Sequence, residues 1–174
     1  MKIAICGSSR INDEQINKKA FEIGMELARN NVPVLTGACN GGPYEAAKGA
    51  FSDRGKVFGV SPAKSKEEHD NVYGFPDDVF TEIEYTGLGI PGRNFPLVKE
   101  ADAIIVISGQ IGSLNEFTIA FHYGKVIGVL EGSGGITGML KEISEICDKK
   151  GESKKIVYSS DAKELVSMVL SKLK

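Results

Sequence analysis

Short apolar runs, rich in β-branched residues, recur along the chain and alternate with stretches of helical spacing. Such alternation predicts βα units around a parallel sheet, because each run has the length of a buried strand and each intervening stretch that of a crossover helix. The predicted strands cover residues 2–6, 32–36, 57–61, 79–84, 103–108, 126–130 and 155–158. The predicted fold is a single doubly wound α/β domain over residues 1–174, with about seven parallel strands and helices on both faces of the sheet.

Two of the intervening stretches carry a clear helical stripe. The first has apolar residues at Ile16, Ala20, Ile23, Leu27 and Ala28, with Asn12 as its predicted N-cap. The last has its predicted N-cap at Asp161 and apolar residues at Leu165, Val166, Val169 and Leu170. Both stripes are expected to be core. Residues 62–78 are charged, contain proline and lack a period, so they are predicted to form a loop.

The composition of the chain argues against two kinds of partner, nucleic acids and membranes. The 174 residues are 41% hydrophobic and 25% charged, as is typical of a soluble globular domain. The formal net charge of -2 does not supply the positive field that nucleic-acid binding needs. Since no apolar stretch reaches the roughly 18 residues of a membrane span, we expect a cytoplasmic protein without a membrane partner.

Cysteine and histidine usage indicates neither disulfides nor a metal. The three cysteines form no C-x-x-C pair and are odd in number, and the two histidines add no ligand spacing. Neither a metal nor a cofactor is predicted.

The most informative stretch is 108–116, where the fifth predicted strand leads into a glycine turn and a predicted helix. A helix N-terminus with free backbone N–H groups and the positive end of the helix dipole binds phosphate without a dedicated side chain, so the stretch indicates nucleotide binding. The alternative is a capping box, in which Ser113 and Glu116 satisfy backbone donors of the helix itself.

Other turns follow the strands and are expected at the same carboxyl edge of the sheet, where ligands bind in open α/β folds. Ser8 and Ser9 either close the first turn or reach a ligand. Pro43 is expected near a helix start, and Gly49 to pack a helix on the sheet. The glycine-rich stretch 132–135 is either a flexible loop or a lid. Neither G-x-G-x-x-G nor a Walker A motif is present, which argues against conventional dinucleotide oxidoreduction and P-loop ATP hydrolysis.

The positions of Arg93 and His122 on the predicted elements indicate different roles. Arg93 follows the fourth predicted strand, at a helix expected to begin near Pro91, so its guanidinium could grip a phosphate or stabilise developing charge at the carboxyl edge. His122 lies on the helix that follows Ser113 and is assigned to packing.

Three motifs together carry a family resemblance. Cys6-Gly7-Ser8-Ser9, residues 41–47 (G-G-P-Y-E-A-A) and residues 109–116 (G-Q-I-G-S-L-N-E) resemble, in order, the motifs of the LOG-like proteins. These belong to the Rossmann-like nucleotide-binding superfamily and are often labelled lysine decarboxylases. The resemblance spans almost the whole chain and implies a Rossmann-like fold.

The resemblance implies a phosphoribohydrolase. Such enzymes cleave nucleoside 5′-monophosphates into free base and ribose 5-phosphate, and the matching catalytic positions here are Arg93 and Glu116. A purine nucleoside monophosphate is the expected ligand, and a homodimer or larger homo-oligomer the expected assembly. The implied substrate-binding residues are Gly7, Ser8, Ser9, Gly41, Gly42, Gly109, Gln110, Gly112 and Ser113.

The chain departs from the hydrolase pattern at several places. Gln110 replaces a glycine, Ser113 a threonine and Asn94 a lysine, and Tyr44 interrupts the second motif, as in a short prokaryotic branch of the family. No pyridoxal-phosphate lysine motif supports the decarboxylase label. The alternative function is a non-catalytic nucleotide sensor or a carrier of the pterin-type molybdenum cofactor. A third candidate, a single-stranded DNA-binding relative, is disfavoured by the acidic balance and the absence of Trp.

Overall fold

The structure, a computed structural model, describes residues 1–148 and 150–174. Its strands form one seven-stranded sheet in the order β4-β3-β2-β1-β5-β6-β7, and every neighbouring pair is parallel. The strands are β1 Ile3–Gly7, β2 Val34–Thr36, β3 Val57–Ser61, β4 Glu82–Tyr85, β5 Ala103–Ile107, β6 Val126–Leu130 and β7 Ile156–Ser159. This architecture confirms the predicted Rossmann-like α/β fold, with β2 and β4 starting later than predicted.

The helices connect the strands. They are α1 Glu14–Arg29, α2 Gly42–Ser52, α3 Lys66–Glu68, α4 Gly89–Glu100, α5 Ile111–His122, α6 Leu140–Cys147 and α7 Ala162–Lys172. A π-helical turn, His69–Tyr73, follows α3, and 3₁₀ turns span Gly135–Met139 and Glu152–Lys155. In the part of the chain that the structure describes, no helix is long and apolar enough to cross a membrane.

Helices cover both faces of the sheet, as predicted. Alternate side chains of a strand point to opposite faces, so Ile3 and Ile5 of β1 join the core that contains α1, α2 and α7. Ala4 and Cys6 join the second core, which contains residues of α4, α5 and α6. The first helical stripe is buried except at Ala28, which is half-buried, and Leu170 is likewise only half-buried in α7.

The predicted N-cap is correct for α7 and wrong for α1. Asp161 caps α7 and accepts from the Glu164 N–H at 2.8 Å. At α1 the N-cap is Asp13 rather than Asn12, because the Asp13 carboxylate accepts from the N–H of Gln15 at 2.8 Å. Asn and Asp are equally competent caps, so the choice depends on where the helix begins.

Gly49 packs helix against helix rather than helix against sheet, contrary to the prediction. A Cβ at Gly49 would overlap the Phe21 carbonyl of α1, and a Cβ at Gly24 would overlap the Ala46 carbonyl of α2. The two glycines therefore allow α1 and α2 to approach closely.

Two further predictions were wrong. The stretch 62–78 is not simply a loop, because it contains α3 and the π-helical turn and buries His69 completely. His122 does not pack in the core, since it is exposed at the end of α5.

The strand order defines where a ligand can enter. The chain builds β1 to β4 outward in one direction and then returns to place β5 on the other side of β1. Gly7 and Ile107, the last residues of these two strands, are paired. A crevice opens at such a switch point, beyond the carboxyl ends of the strands.

Candidate functional site

A cleft of about 310 Å³ lies at this switch point. Its walls come from the β1–α1 turn, the β2–α2 turn, the stretch between β3 and β4, helix α4 and the first half of helix α5. The lining residues are Gly7, Ser8, Ser9, Cys39, Phe75, Ile90, Arg93, Asn94, Gln110, Ile111, Gly112, Ser113 and Glu116.

The N-terminus of α5 faces this cleft without a side-chain cap. Gln110 is the N-cap residue and its side chain makes no capping hydrogen bond, so the N–H groups of Ile111, Gly112 and Ser113 have no partner within the helix. The helix dipole adds positive potential at the same place. This end of α5 has the geometry of an anion site.

The capping-box alternative for Ser113 and Glu116 was wrong. The helix begins at Ile111, so Ser113 is its third residue and cannot be the N-cap. The Glu116 carboxylate lies against Arg93 instead of returning to the start of the helix. Ser113 is buried, and its hydroxyl lies where a Cβ on Gly109 would have to fit.

The β5–α5 turn is braced by the stretch after β6. Ser108 and Gly109 have positive φ angles of 56° and 100°, which reverse the backbone. The Ser108 N–H donates to the Ser133 hydroxyl at 2.8 Å, and the Ile136 N–H donates to the Gly109 carbonyl at 2.9 Å. The buried Ser133 therefore braces the turn, and residues 132–135 are not among those that line the cleft, so the loop and lid interpretations of this stretch stay predictions.

A buried ion pair lies on the cleft between α4 and α5. Arg93 Nη1 is 2.7 Å from Glu116 Oε1, and the two side chains are only 7% and 6% exposed. A charge-assisted pair at this depth holds both side chains in one geometry. The two residues that the sequence singled out for catalysis are therefore in direct contact.

The guanidinium of Arg93 is held from several sides. Nη1 also donates to Asn94 Oδ1 at 3.0 Å, and Nη2 lies 3.9 Å from Cys39 Sγ. A Cβ on Gly37 would overlap the guanidinium, so glycine there is what allows Arg93 to lie against the β2–α2 turn. Arg93 Nε is buried and has no partner among the residues that the structure describes.

Burial is the largest cause of the pKa shifts of three neighbouring side chains, those of Glu116, Cys6 and Cys39. It raises the pKa of the Glu116 carboxyl, while the positive charge of Arg93 and a hydrogen bond from the Cys6 thiol oppose that rise. Burial also raises the pKa of Cys6, well above its usual value, and that of Cys39. Both thiols are therefore neutral near pH 7 and unsuited to act as nucleophiles.

The remaining predicted site residues divide into two groups. Gly7, Ser8, Ser9, Gln110 and the residues of α5 line the cleft, whereas the other three glycines do not. The glycines outside the lining are Gly41, Gly42 and Gly109.

Gly41 and Gly42 support the first turn. The Gly42 N–H donates to the Ser8 carbonyl at 3.0 Å, and a Cβ on Gly41 would overlap the same carbonyl. The Ser8 hydroxyl donates to the Arg10 carbonyl at 2.8 Å and accepts from the Arg10 N–H at 3.1 Å, so this side chain closes its own turn. Pro43 lies in the first turn of α2, as predicted.

The structure adds lining residues that sequence reasoning did not select. Cys39 and Asn94 could have been found from their neighbours, since Cys39 lies between Gly37 and Gly41 and Asn94 follows Arg93. Phe75 and Ile90 carry no local signal, because only the packing of distant segments brings them to the cleft. Within residues 1–148 and 150–174, no group of three His, Cys, Asp or Glu side chains could hold a metal ion.

Comparison with known proteins identifies the family. The family model described as "SLOG cluster4 family" matches residues 1–166. The match covers nearly the whole chain, which therefore belongs to this family. The narrower LOG-like assignment stays a prediction.

Individual proteins are similar to this chain in sequence or in structure over most of its length. An uncharacterized protein of Archaeoglobus fulgidus is 29% identical over 140 residues, which are 80% of this chain and 85% of that protein. The X-ray structure of TM1055 superposes with a TM-score of 0.83 at 21% identity, covering 98% of this chain and 99% of that one.

A molybdenum cofactor binding protein from Rippkaea orientalis superposes with a TM-score of 0.82 at 21% identity, covering 100% of this chain and 99% of that one. A more distant likeness is DNA processing protein A of Helicobacter pylori, whose structure concerns single-stranded DNA binding. Its TM-score is 0.66 at 18% identity, with 98% of this chain and 80% of that one covered. At these identities the structural likenesses establish the fold alone.

Proposed function

We propose that this member of the SLOG cluster4 family binds a nucleoside 5′-monophosphate in the cleft and hydrolyses its N-glycosidic bond. The products are the free base and ribose 5-phosphate. The observation that carries the proposal is the buried contact of 2.7 Å between Arg93 and Glu116, at a cleft that also contains the uncapped N-terminus of α5.

The 5′-phosphate is assigned to the start of α5. The N–H groups of Ile111, Gly112 and Ser113 and the helix dipole favour an anion there. Gly112 has open space where a Cβ would stand, so a ligand can approach the backbone closely.

Glu116 is assigned to the reacting centre. Cleavage of the C1′–N bond leaves positive charge on the sugar, which a nearby carboxylate stabilises. In this proposal water adds to C1′ through its oxygen and Glu116 accepts a proton from that water. The leaving base takes the bonding electron pair and a proton from solvent, and Glu116 returns its proton to solvent. The balance is one water consumed for each base released.

Arg93 is assigned two tasks. Because burial raises the pKa of the Glu116 carboxyl and the guanidinium opposes that rise, Arg93 favours the charged form that the reaction uses. Its second task is to orient the anionic ligand, since a fixed guanidinium at the cleft restricts the poses that a phosphorylated sugar can adopt.

A second candidate function is a non-catalytic sensor of nucleotides or a carrier of a phosphorylated pterin, including the molybdenum cofactor as cargo. The observation that favours it is that Arg93 already binds the Glu116 carboxylate at 2.7 Å. Under this reading the ion pair is structural, while the start of α5 still holds the phosphate. The full-length likeness to the Rippkaea orientalis protein is compatible with this candidate.

A direct assay separates the two candidates. The purified protein is incubated with each common nucleoside monophosphate, free base and ribose 5-phosphate are measured by chromatography, and copurified ligand is identified by native mass spectrometry. Enzyme-dependent base release supports hydrolysis. A bound nucleotide or pterin that remains intact, with no base released from any monophosphate, favours the carrier or sensor. A formal net charge of -2 argues against single-stranded DNA as the ligand.

A further inference from the structure

Three apolar side chains, Phe75, Ile90 and Ile111, line the cleft together with the charged Arg93 and Glu116, and the proposed reaction gives none of the three a role. We propose that Phe75 is the stacking platform for the planar nitrogen heterocycle of the ligand. This inference rests on the proposed function, because it places the second half of a molecule whose phosphate lies at α5.

The ring of Phe75 is held in place by its neighbours. Gly74 adopts a left-handed conformation, with φ of 62°, and the Phe75 N–H donates to the His69 carbonyl at 3.2 Å. The ring packs edge-on against His69 at 5.7 Å between centroids and tilted against Tyr73 at 5.3 Å. A phenyl ring fixed by two aromatic neighbours loses little freedom when a ligand stacks on it.

His69 ties this segment to the sheet. It is completely buried, with Nδ1 2.9 Å from the hydroxyl of Ser61, the last residue of β3. Its Nε2 lies 3.3 Å from the Pro76 carbonyl, and Tyr85 packs edge-on against its ring. Nε2 can donate to that carbonyl while Nδ1 accepts from Ser61. Phe75 is therefore tied to the end of β3 through the buried His69.

The Phe75 ring can recognise a ligand by its flat aromatic face. Every nucleobase and every pterin has a π face, and stacking on an aromatic side chain tolerates different ring substituents. A sugar phosphate alone gains nothing from Phe75. The structure thus points to phosphorylated ligands that bear a planar heterocycle, and not to simple sugar phosphates.

The test compares two ligands by isothermal titration calorimetry. One is a carbocyclic analogue of adenosine 5′-monophosphate, whose base cannot be released by hydrolysis, and the other is ribose 5-phosphate. Phe75→Ala should weaken binding of the analogue by about 5- to 150-fold, the usual range for loss of one stacking partner, and leave ribose 5-phosphate within about twofold. Phe51→Ala is the matched control, because Phe51 is 55% exposed at the end of α2 and does not line the cleft.

The outcomes separate this inference from the proposed function. If the parent protein binds both ligands equally tightly, or if Phe75→Ala weakens both ligands alike, stacking is overturned while the phosphate site stands. If the parent binds neither ligand, both proposals fail. Should Phe75→Ala not fold, Phe75→Leu keeps apolar bulk without the π face, and an unchanged preference for the heterocyclic ligand in that variant likewise overturns the proposal.

Discussion

Replacing Glu116 by Gln tests the proposed chemistry most directly. The amide matches the carboxylate in shape and can still accept a hydrogen bond from Arg93 Nη1, whose present partner is 2.7 Å away. What disappears is the negative charge, which in the proposed reaction stabilises the sugar cation and accepts a proton. Because these interactions arise mainly in the transition state, turnover should fall far more than affinity.

The expected magnitudes follow from burial and charge. Loss of one electrostatic stabiliser at a reacting centre lowers turnover by roughly 100- to 1000-fold, whereas nucleotide affinity should stay within a few-fold. Removing one partner of a buried ion pair costs about 3 to 5 kcal/mol, and the retained hydrogen bond places Glu116→Gln near the lower end. For a chain of this length, about 3 kcal/mol lowers Tm by roughly 6 to 12 °C.

The assay is the initial rate of base release, measured by chromatography well below the Tm of the variant, with affinity measured in parallel. Glu45→Gln makes the same chemical change outside the cleft, where Glu45 pairs with Lys48 at 2.8 Å on the surface, and should keep parental activity. A Glu116→Gln protein as active as its parent would remove Glu116 from the mechanism. If the parent protein releases base from none of the common monophosphates, the carrier or sensor function is favoured.

Four further predictions concern the same site and its surroundings. Arg93→Ala should weaken both binding and turnover, because it leaves Glu116 buried without its cation; Arg29→Ala, at the exposed pair with Asp53, is the control in the same two assays. Since burial raises the pKa of Glu116 above 4.5, the acid limb of kcat/KM should lie above that value, with activity lost as pH falls through the raised pKa; a limb at or below 4.5 contradicts this. A purine nucleoside monophosphate at about 100 times its Kd should raise Tm by roughly 5 to 10 °C, and no shift with any nucleotide opposes nucleotide binding. Light scattering should show a homodimer or larger assembly, for which the exposed apolar Phe95 of α4 and Tyr123 after α5 offer a surface; a monomer across the micromolar range refutes it.

The sequence by itself was sufficient for the architecture. Strands buried on both faces must be almost wholly apolar, so the interior strands appear as short apolar runs such as 103–107 and 126–130. The edge strand β4 instead alternates acidic and apolar residues, because neither of its faces is fully buried. Turns that follow parallel strands gather at one edge, which is why residues as distant as Ser9, Arg93 and Gln110 could be assigned to one region. That residues 1–174 form one domain, and that the protein is cytoplasmic, stay predictions.

The tertiary structure decided which side chains meet. Glu116 could cap its own helix or pair with Arg93, and only the packing of α4 against α5 brings the two to 2.7 Å. Asn12 and Asp13 are equivalent caps locally, and the start of α1 selects the second. Phe75 reaches the cleft because buried His69 binds the end of β3. Periodicity determines which face of an element is buried, but contacts between distant residues depend on how the elements pack, which no local pattern specifies.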